Sequence, residues 1–184
     1  MKALTIWKES LHELRRIQVM ACCGILAALS VALKFLASID IGEYIRIGFS
    51  DMPGVAVSVL FGPAVGSVFW GMLDILKYIV APNGPFFPGF TVSAVLNGVL
   101  FGFFLYKRTL SLGNVLMAQF FSKLFISIGL NTYWLSILYG NAYYVMLPAR
   151  LLSNAIMLPI DTLLTFVVLR MVSRLWRISS NQVC

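Results

Sequence analysis

Charged residues punctuate this chain so sparsely that the gaps between them outline its elements. Val19–Leu33 is an uncharged run that carries on past Lys34 to about Ser38. Met52–Leu73 is the next, interrupted by Phe61-Gly62-Pro63, where proline removes a helix donor and glycine tolerates a reversal. Tyr78–Tyr106 is uncharged but broken by the sequence PNGPFFPG at residues 82–89. Thr109–Ser122 continues past Lys123 to about Trp134, and Val145–Leu169 carries only Arg150 and Asp161. A helical crossing of a bilayer takes roughly 20 apolar residues. With Gly62-Pro63 dividing the second run, the pattern predicts six crossings. One is short: residues 52–61 rise only about 15 Å as a helix, so either this helix is tilted or the loop before it dips into the membrane. Such a span is expected to line a cavity, because unpaired backbone survives only where protein or water covers it. Ahead of the first crossing, Leu4, Trp7, Leu11 and Leu14 form one apolar stripe, which predicts an amphipathic helix on the cytoplasmic surface. A cleaved signal peptide is the competing reading of residues 1–38. It is rejected because the apolar run exceeds the usual core of about 7–15 residues and a surface helix precedes it.

Composition turns this pattern into a class. Of 184 residues, 60% are hydrophobic and 11% charged, against about 45–50% and about 25% in a soluble domain. One small core cannot hide that excess, which excludes a water-soluble enzyme or a nucleic-acid binder. The net charge of +7 matters through its placement. Nine of the 14 basic residues fall in three clusters: Lys2, Lys8, Arg15 and Arg16; Lys107 and Arg108; Arg170, Arg174 and Arg177. All three should be cytoplasmic. The expected fold is therefore an all-α membrane protein with six transmembrane helices and both termini cytoplasmic. It divides into a surface helix at 1–18, a single transmembrane domain at 19–178 and a tail at 179–184. Cys22, Cys23 and Cys184 have no metal spacing, and His12 has no partner acid.

Polar groups at membrane depth carry the candidate chemistry, since a charge at the bilayer centre costs about 2.5–3.5 kcal/mol on insertion scales. Asp74, Lys123, Arg150 and Asp161 qualify, with Ser93, Asn97, Asn131 and Asn154 as neutral companions. Lys123 and Asp161 suit an internal ion pair or a kink at Pro159. Arg150 with Asn154, and Ser93 with Asn97, share helix faces by four-residue spacing and converge with Asp74 on the outer half. The outer loops are rich in aromatics and poor in charge: IDIGEYIRIGFSD at 39–51, PNGPFFPGFT at 82–91 and NTYWLSILYGNAYY at 131–144. Rigid rings above a few donors and acceptors describe a pocket for a flat, polar-edged small molecule. Arg46 and Arg150 would favour a carboxylate on it.

The ordered set IRIGFSDMPG (45–54), LFGPAVG (60–66), ILKYIVAPNGPFFPGFT (75–91), SAVLNGVLFG (93–102), NTYWLSILYG (131–140) and LPARLLSNAIMLPID (147–161) resembles the substrate-binding S-components of energy-coupling-factor (ECF) vitamin transporters. The likeness is nearest to the folate-specific type and covers about Gln18 to Arg174. Asp51 departs from the pattern, standing where an apolar residue is expected. The resemblance implies a six-helix protein of the bacterial cell membrane that captures a vitamin at the outer side. It would then dock on a transmembrane coupling subunit carrying two ATPases and topple in the bilayer. The family's Ala-x-x-x-Ala docking motif matches Ala28 and Ala32, with Gly24 extending the small face. No cofactor is expected, and no phosphate loop is present in the sequence.

For a folate ligand, Asp74, Asn97 or Asn131 would meet the pterin edge, with Ser93 beside Asn97. Phe49, Trp70, Phe86 and Phe90 would stack, with Trp134 nearby. Arg46 and Arg150, with Asn154 alongside, would take the glutamate tail. The same architecture with thiamine, biotin or a precursor is the nearest alternative. A stand-alone carrier is a third possibility, and an intramembrane enzyme lacks any H-E-x-x-H, G-x-S-x-G or clustered carboxylates.

Overall fold

The computed structural model describes residues 2–14, 16–36, 38–41, 45–82, 86–140 and 143–181. Helix α1 (Lys2–Glu13) precedes α2 (Ile17–Leu36); strands β1 (Ser38–Ile41) and β2 (Ile45–Gly48) follow, then α3 (Met52–Phe61), α4 (Pro63–Val80) and α5 (Pro88–Leu105). Helix α6 (Leu112–Phe121) passes through a π-helical stretch, Ser122–Asn131, into α7 (Thr132–Tyr139), and α8 (Tyr143–Asn181) closes the chain. Five of these segments are long and apolar enough to cross a membrane: α2, α4, α5, Leu112–Leu138 and Arg150–Ser173 within α8. The sixth, α3, has only 10 residues, roughly half the length a hydrocarbon core demands.

Burial explains how α3 persists. Met52 to Ser58 and Phe61 are all buried, and α3 touches α2, α4, α5 and α8. It is the centre of the bundle, so lipid need not solvate its ends. Helix α2 is the reverse, with most of its span on the outside. Gly24, Ala28 and Ala32 are all exposed there, and a Cβ added to Gly24 would meet nothing within 4 Å.

At one end of the bundle the chain reverses through Gly62, whose φ of +92° only glycine adopts freely. Pro63 then starts α4, where the missing N–H is harmless. Helix α1 seals this reversal. Ser10, completely buried, donates to the Phe61 carbonyl at 2.7 Å and accepts from the Ala64 and Val65 amides at 3.1 and 3.2 Å. One hydroxyl thus satisfies orphaned groups of both α3 and α4. Leu11, assigned to the apolar stripe, is half exposed; among the described side chains of α1 the one buried completely is Ser10, because the helix ends it covers are polar. Glu9 accepts from Lys107 Nζ at 2.6 Å, tying α1 to the α5–α6 turn and raising the Lys107 pKa above its ordinary value. Replacing Ser10 with alanine is expected to lower stability by about 1–3 kcal/mol, the scale for leaving buried polar groups unpaired. Thermal unfolding in detergent would measure it, and an unchanged melting temperature would refute the capping role.

At the other end a two-stranded hairpin joins α2 to α3, with Ser38 opposite Gly48, Ile39 opposite Ile47, Asp40 opposite Arg46 and Ile41 opposite Ile45. It is the one departure from an all-helical class among the described residues. Alternation of β-branched isoleucine in SIDI and IRIG is its sequence signal. A short 3₁₀ turn, Phe49–Asp51, delivers the chain into α3.

Candidate functional site

Between α3, α4, α5, the π stretch and α8 lies a cavity of about 320 Å³. Ser50 and Asp51 close it on the hairpin side, Met52, Val55, Trp70 and Phe101 give it an apolar wall, and the remaining lining is mostly polar. Asn97 comes from α5 and Gln119 from α6; Ser122, Lys123, Ile126, Ser127 and Asn131 come from the π stretch, and Asn154, Asp161 and Thr165 from α8.

The π geometry assembles this wall. At 3.6 residues per turn, Asn131 would stand two and a half turns beyond Ser122, on the opposite face. Wound at roughly 4.4 residues per turn, with i to i+5 hydrogen bonding, the same interval is close to two full turns. Ser122, Ser127 and Asn131 consequently look into one space. Such stretches are uncommon and frequently sit at functional sites.

Most polar groups in the wall are already paired. Ser122 Oγ donates to Asn97 Oδ1 at 2.6 Å, Gln119 Nε2 to Thr165 Oγ1 at 2.9 Å, and Ser127 Oγ to Asn154 Oδ1 at 3.0 Å. Lys123 Nζ lies 2.7 Å from Asp161 Oδ2, giving the internal ion pair anticipated from their depth. These four links tie α5 to the π stretch, and α6 and the π stretch to α8. The hairpin-side wall is held from outside the cavity. Lys77 Nζ bonds the Ser50 carbonyl at 2.9 Å, Ser50 Oγ at 3.1 Å and Asp51 Oδ1 at 2.7 Å, while Ser30 Oγ donates to the Ser50 carbonyl. Asp51, the residue that breaks the sequence pattern, has found Lys77 as its partner.

Of the residues proposed from the sequence, Trp70, Asn97, Asn131 and Asn154 meet in this cavity. Asp74 does not line it; its Oδ2 accepts from Thr91 Oγ1 at 2.8 Å, joining α4 to α5. Ser93 accepts from Trp134 Nε1 at 3.2 Å, one turn along α5 from Asn97. Trp134 packs on Phe87, with centroids 5.5 Å apart, and Phe90 meets the same ring edge-on at 6.1 Å. Phe86 leans on Tyr78 at 5.0 Å and is half exposed. These aromatics pack in two groups, Phe86 with Tyr78 and Phe87 with Phe90 and Trp134, and none of them lines the cavity. Arg150 lies one turn along α8 from Asn154, and its carbonyl accepts from Asn154 Nδ2 at 2.8 Å. The side chains of Arg46 and Phe49 lie outside the described residues. Sequence reading did not single out Gln119, Ser122, Ser127 or Thr165, although an amide within an apolar run was an available signal for Gln119. It also kept Lys123 and Asp161 apart from the site. Among the described residues no three His, Cys, Asp or Glu side chains gather where a metal could sit.

Residues 18–169 match the family described as ECF transporter, substrate-specific component. The chain belongs to that family. Among curated proteins it is 33% identical, over 88% of its length and 94% of the relative's, to the folate transporter FolT of Clostridium novyi. It is 25% identical to the folate transporter FolT of Leuconostoc mesenteroides, over 79% and 83% of the two chains. Among solved structures it matches FolT bound with folic acid at a TM-score of 0.73 and 27% identity, covering 83% of this chain and 91% of that one. A biotin S-component of an ECF-type ABC transporter shares the fold at a TM-score of 0.66 and 22% identity, over 88% and 92%. This S-component is accordingly a multi-pass membrane protein and a transporter component, not an enzyme.

Proposed function

We propose that this S-component binds folate in the cavity between α3, α4, α5, the π stretch and α8. The observation that carries the reading is the 33% identity to a folate transporter along almost the whole of both chains. The chemistry of the cavity fits that ligand. A pterin is flat and offers ring nitrogens and an amino group along one edge, which suits a wall built of Asn97, Asn131 and Asn154 beside Trp70. The tail would leave toward the hairpin end, where Arg150 stands one turn from Asn154 and Arg46 lies in β2. Asp74, Ser93, Phe86, Phe90 and Trp134 then support the site from behind the lining.

Isothermal titration of the purified protein in detergent with folic acid, thiamine and biotin tests the reading. Saturable binding of folic acid, undisturbed by the other two, is expected; preference for thiamine or biotin would overturn it. Arg150→Ala should weaken folic acid binding at least tenfold, the lower end for a charged partner lost from a binding site. Unchanged affinity would remove Arg150 from the tail site.

The basic end of the bundle, carrying α1 and the α5–α6 turn, faces the cytoplasm in this reading, with both termini inside. Delivery requires docking on a transmembrane coupling subunit served by two ATPases, with the exposed Gly24, Ala28 and Ala32 face of α2 as the contact. Purified protein alone in vesicles should bind folic acid and accumulate none.

A further inference from the structure

Three side-chain links run like rungs between the α6–π segment and α8. Gln119 donates to Thr165 at 2.9 Å, Lys123 to Asp161 at 2.7 Å and Ser127 to Asn154 at 3.0 Å. The flanking two are neutral and the middle one is an ion pair, although tying helices together needs no charge. Both charges lie in segments apolar enough to cross a membrane, Leu112–Leu138 and Arg150–Ser173, where an ionisable group is costly and usually functional. The middle rung is also unfinished. Asp161 Oδ2 is taken by Lys123, whereas Oδ1 has no hydrogen-bond partner among the described residues. Nor is Oδ1 occluded: the described side-chain atoms that are both buried and unpartnered are Trp70 Nε1 and Asn131 Oδ1, which no ligand can reach. Lys123 Nζ uses one of its three N–H groups on Asp161. Both side chains line the cavity and keep some exposure, 13% for Lys123 and 26% for Asp161. A pair withdrawn from water offsets its desolvation only when its spare lone pairs and protons are bonded as well.

We infer that Asp161 and Lys123 form a specificity-determining pair in the cavity wall, selecting a neutral ring whose edge sets an N–H beside a carbonyl. Asp161 Oδ1 accepts from the ring N–H, and a free Lys123 N–H donates to the carbonyl. Each bond has one ionised partner and is stronger than a neutral one. Charge decides which part of a ligand docks here. A carboxylate brought to Lys123 meets the Asp161 carboxylate 2.7 Å from the ammonium, and a cation brought to Asp161 meets that ammonium. A neutral lactam edge meets neither conflict. In a folate this assigns the pterin ring to the middle rung and leaves the two carboxylates of the tail to other cations. The neutral rungs keep the pair in place before a ligand arrives, since Gln119 and Ser127 stand four residues before and after Lys123 and both are tied to α8.

This inference rests on the folate reading of the cavity, and the test separates the two. Folic acid, and the analogue in which an amino group replaces its ring carbonyl, are titrated in detergent into wild type, Asp161→Asn and the double variant Lys123→Met with Asp161→Leu. Melting temperatures are recorded alongside. The analogue inverts the edge: it offers a bare ring nitrogen where folic acid offers N–H, and an amino group where folic acid offers the carbonyl. Protonating that nitrogen restores the N–H but puts a cation beside Lys123. Wild type should therefore prefer folic acid by about tenfold or more, the scale for a lost hydrogen bond to a charged group. In Asp161→Asn the amide keeps an oxygen for Lys123 and turns an N–H toward the bare nitrogen. The preference should then shrink or reverse, which a merely structural role would not produce. The double variant should melt near wild type without regaining affinity for folic acid. Wild type that binds both ligands equally, Asp161→Asn that weakens both alike, or a double variant that regains affinity with stability overturns the inference and leaves the folate reading standing. Wild type that fails to bind folic acid overturns the reading and this inference with it. The preference is measured first on the unmodified cavity, so a poorly folding variant cannot obscure the answer.

Discussion

Replacing Lys123 with alanine is expected to cost about 3–5 kcal/mol of folding stability, because it strands the Asp161 carboxylate without its partner inside the bundle. The two side chains are 13% and 26% exposed and 2.7 Å apart, so water cannot easily replace the lost ammonium. The link is also the tie between the π stretch and the middle of α8, and losing it loosens the wall that carries Ser122, Ser127 and Asn131. Replacing both partners, as in Lys123→Met with Asp161→Leu, should recover most of the loss, since apolar residues of similar size often substitute for a buried pair without penalty. Chemical unfolding in detergent measures both. A single variant as stable as wild type but unable to bind folic acid would mean that Lys123 serves the ligand and not the frame.

The second large effect is expected at Gly98. A Cβ there would stand 2.5 Å from the Gly66 carbonyl oxygen and 2.6 Å from its carbon, and both are backbone atoms that no rotamer change can move. Gly98→Ala must therefore push α5 away from α4, at a cost of about 1–3 kcal/mol for an overpacked contact. The damage does not stay local. Helix α4 carries Trp70, and α5 carries Asn97 and Phe101, so the cavity widens and folic acid affinity should fall with stability. Gly24→Ala is the matched control, with nothing within 4 Å of the new methyl. Its stability should stay within about 0.5 kcal/mol of wild type. Equal melting temperatures for the two variants would refute the close approach of α4 and α5.

Much of the architecture could be read from charge spacing alone. The short α3, the reversal at Gly62-Pro63 and the break before α5 all follow from where apolar runs stop and where glycine and proline stand. The hairpin was equally open to reading in the isoleucine alternation, but loop-like composition at 39–51 masked it. The site was legible only in part. Asn97, Asn131, Asn154 and Trp70 stand out as polar or amphipathic groups within apolar runs, and they meet. Serine and threonine in a helix often bond their own backbone, so Ser122, Ser127 and Thr165 sent no comparable signal. Phe86, Phe90 and Trp134 stand outside the lining, in ring contacts with other aromatics. Above all, an α-helical wheel separates Ser122 from Asn131, and no local pattern announced the change of winding that unites them.

That change of winding has an evolutionary consequence. In most helices, retuning a binding surface takes several independent substitutions. Here the loss or gain of one codon between positions 122 and 131 would turn every later side chain of the segment by about 80°, exchanging the whole face shown to the solute in a single genetic event. Indels, and not only point changes, are therefore a natural route by which one scaffold diversifies its cargo.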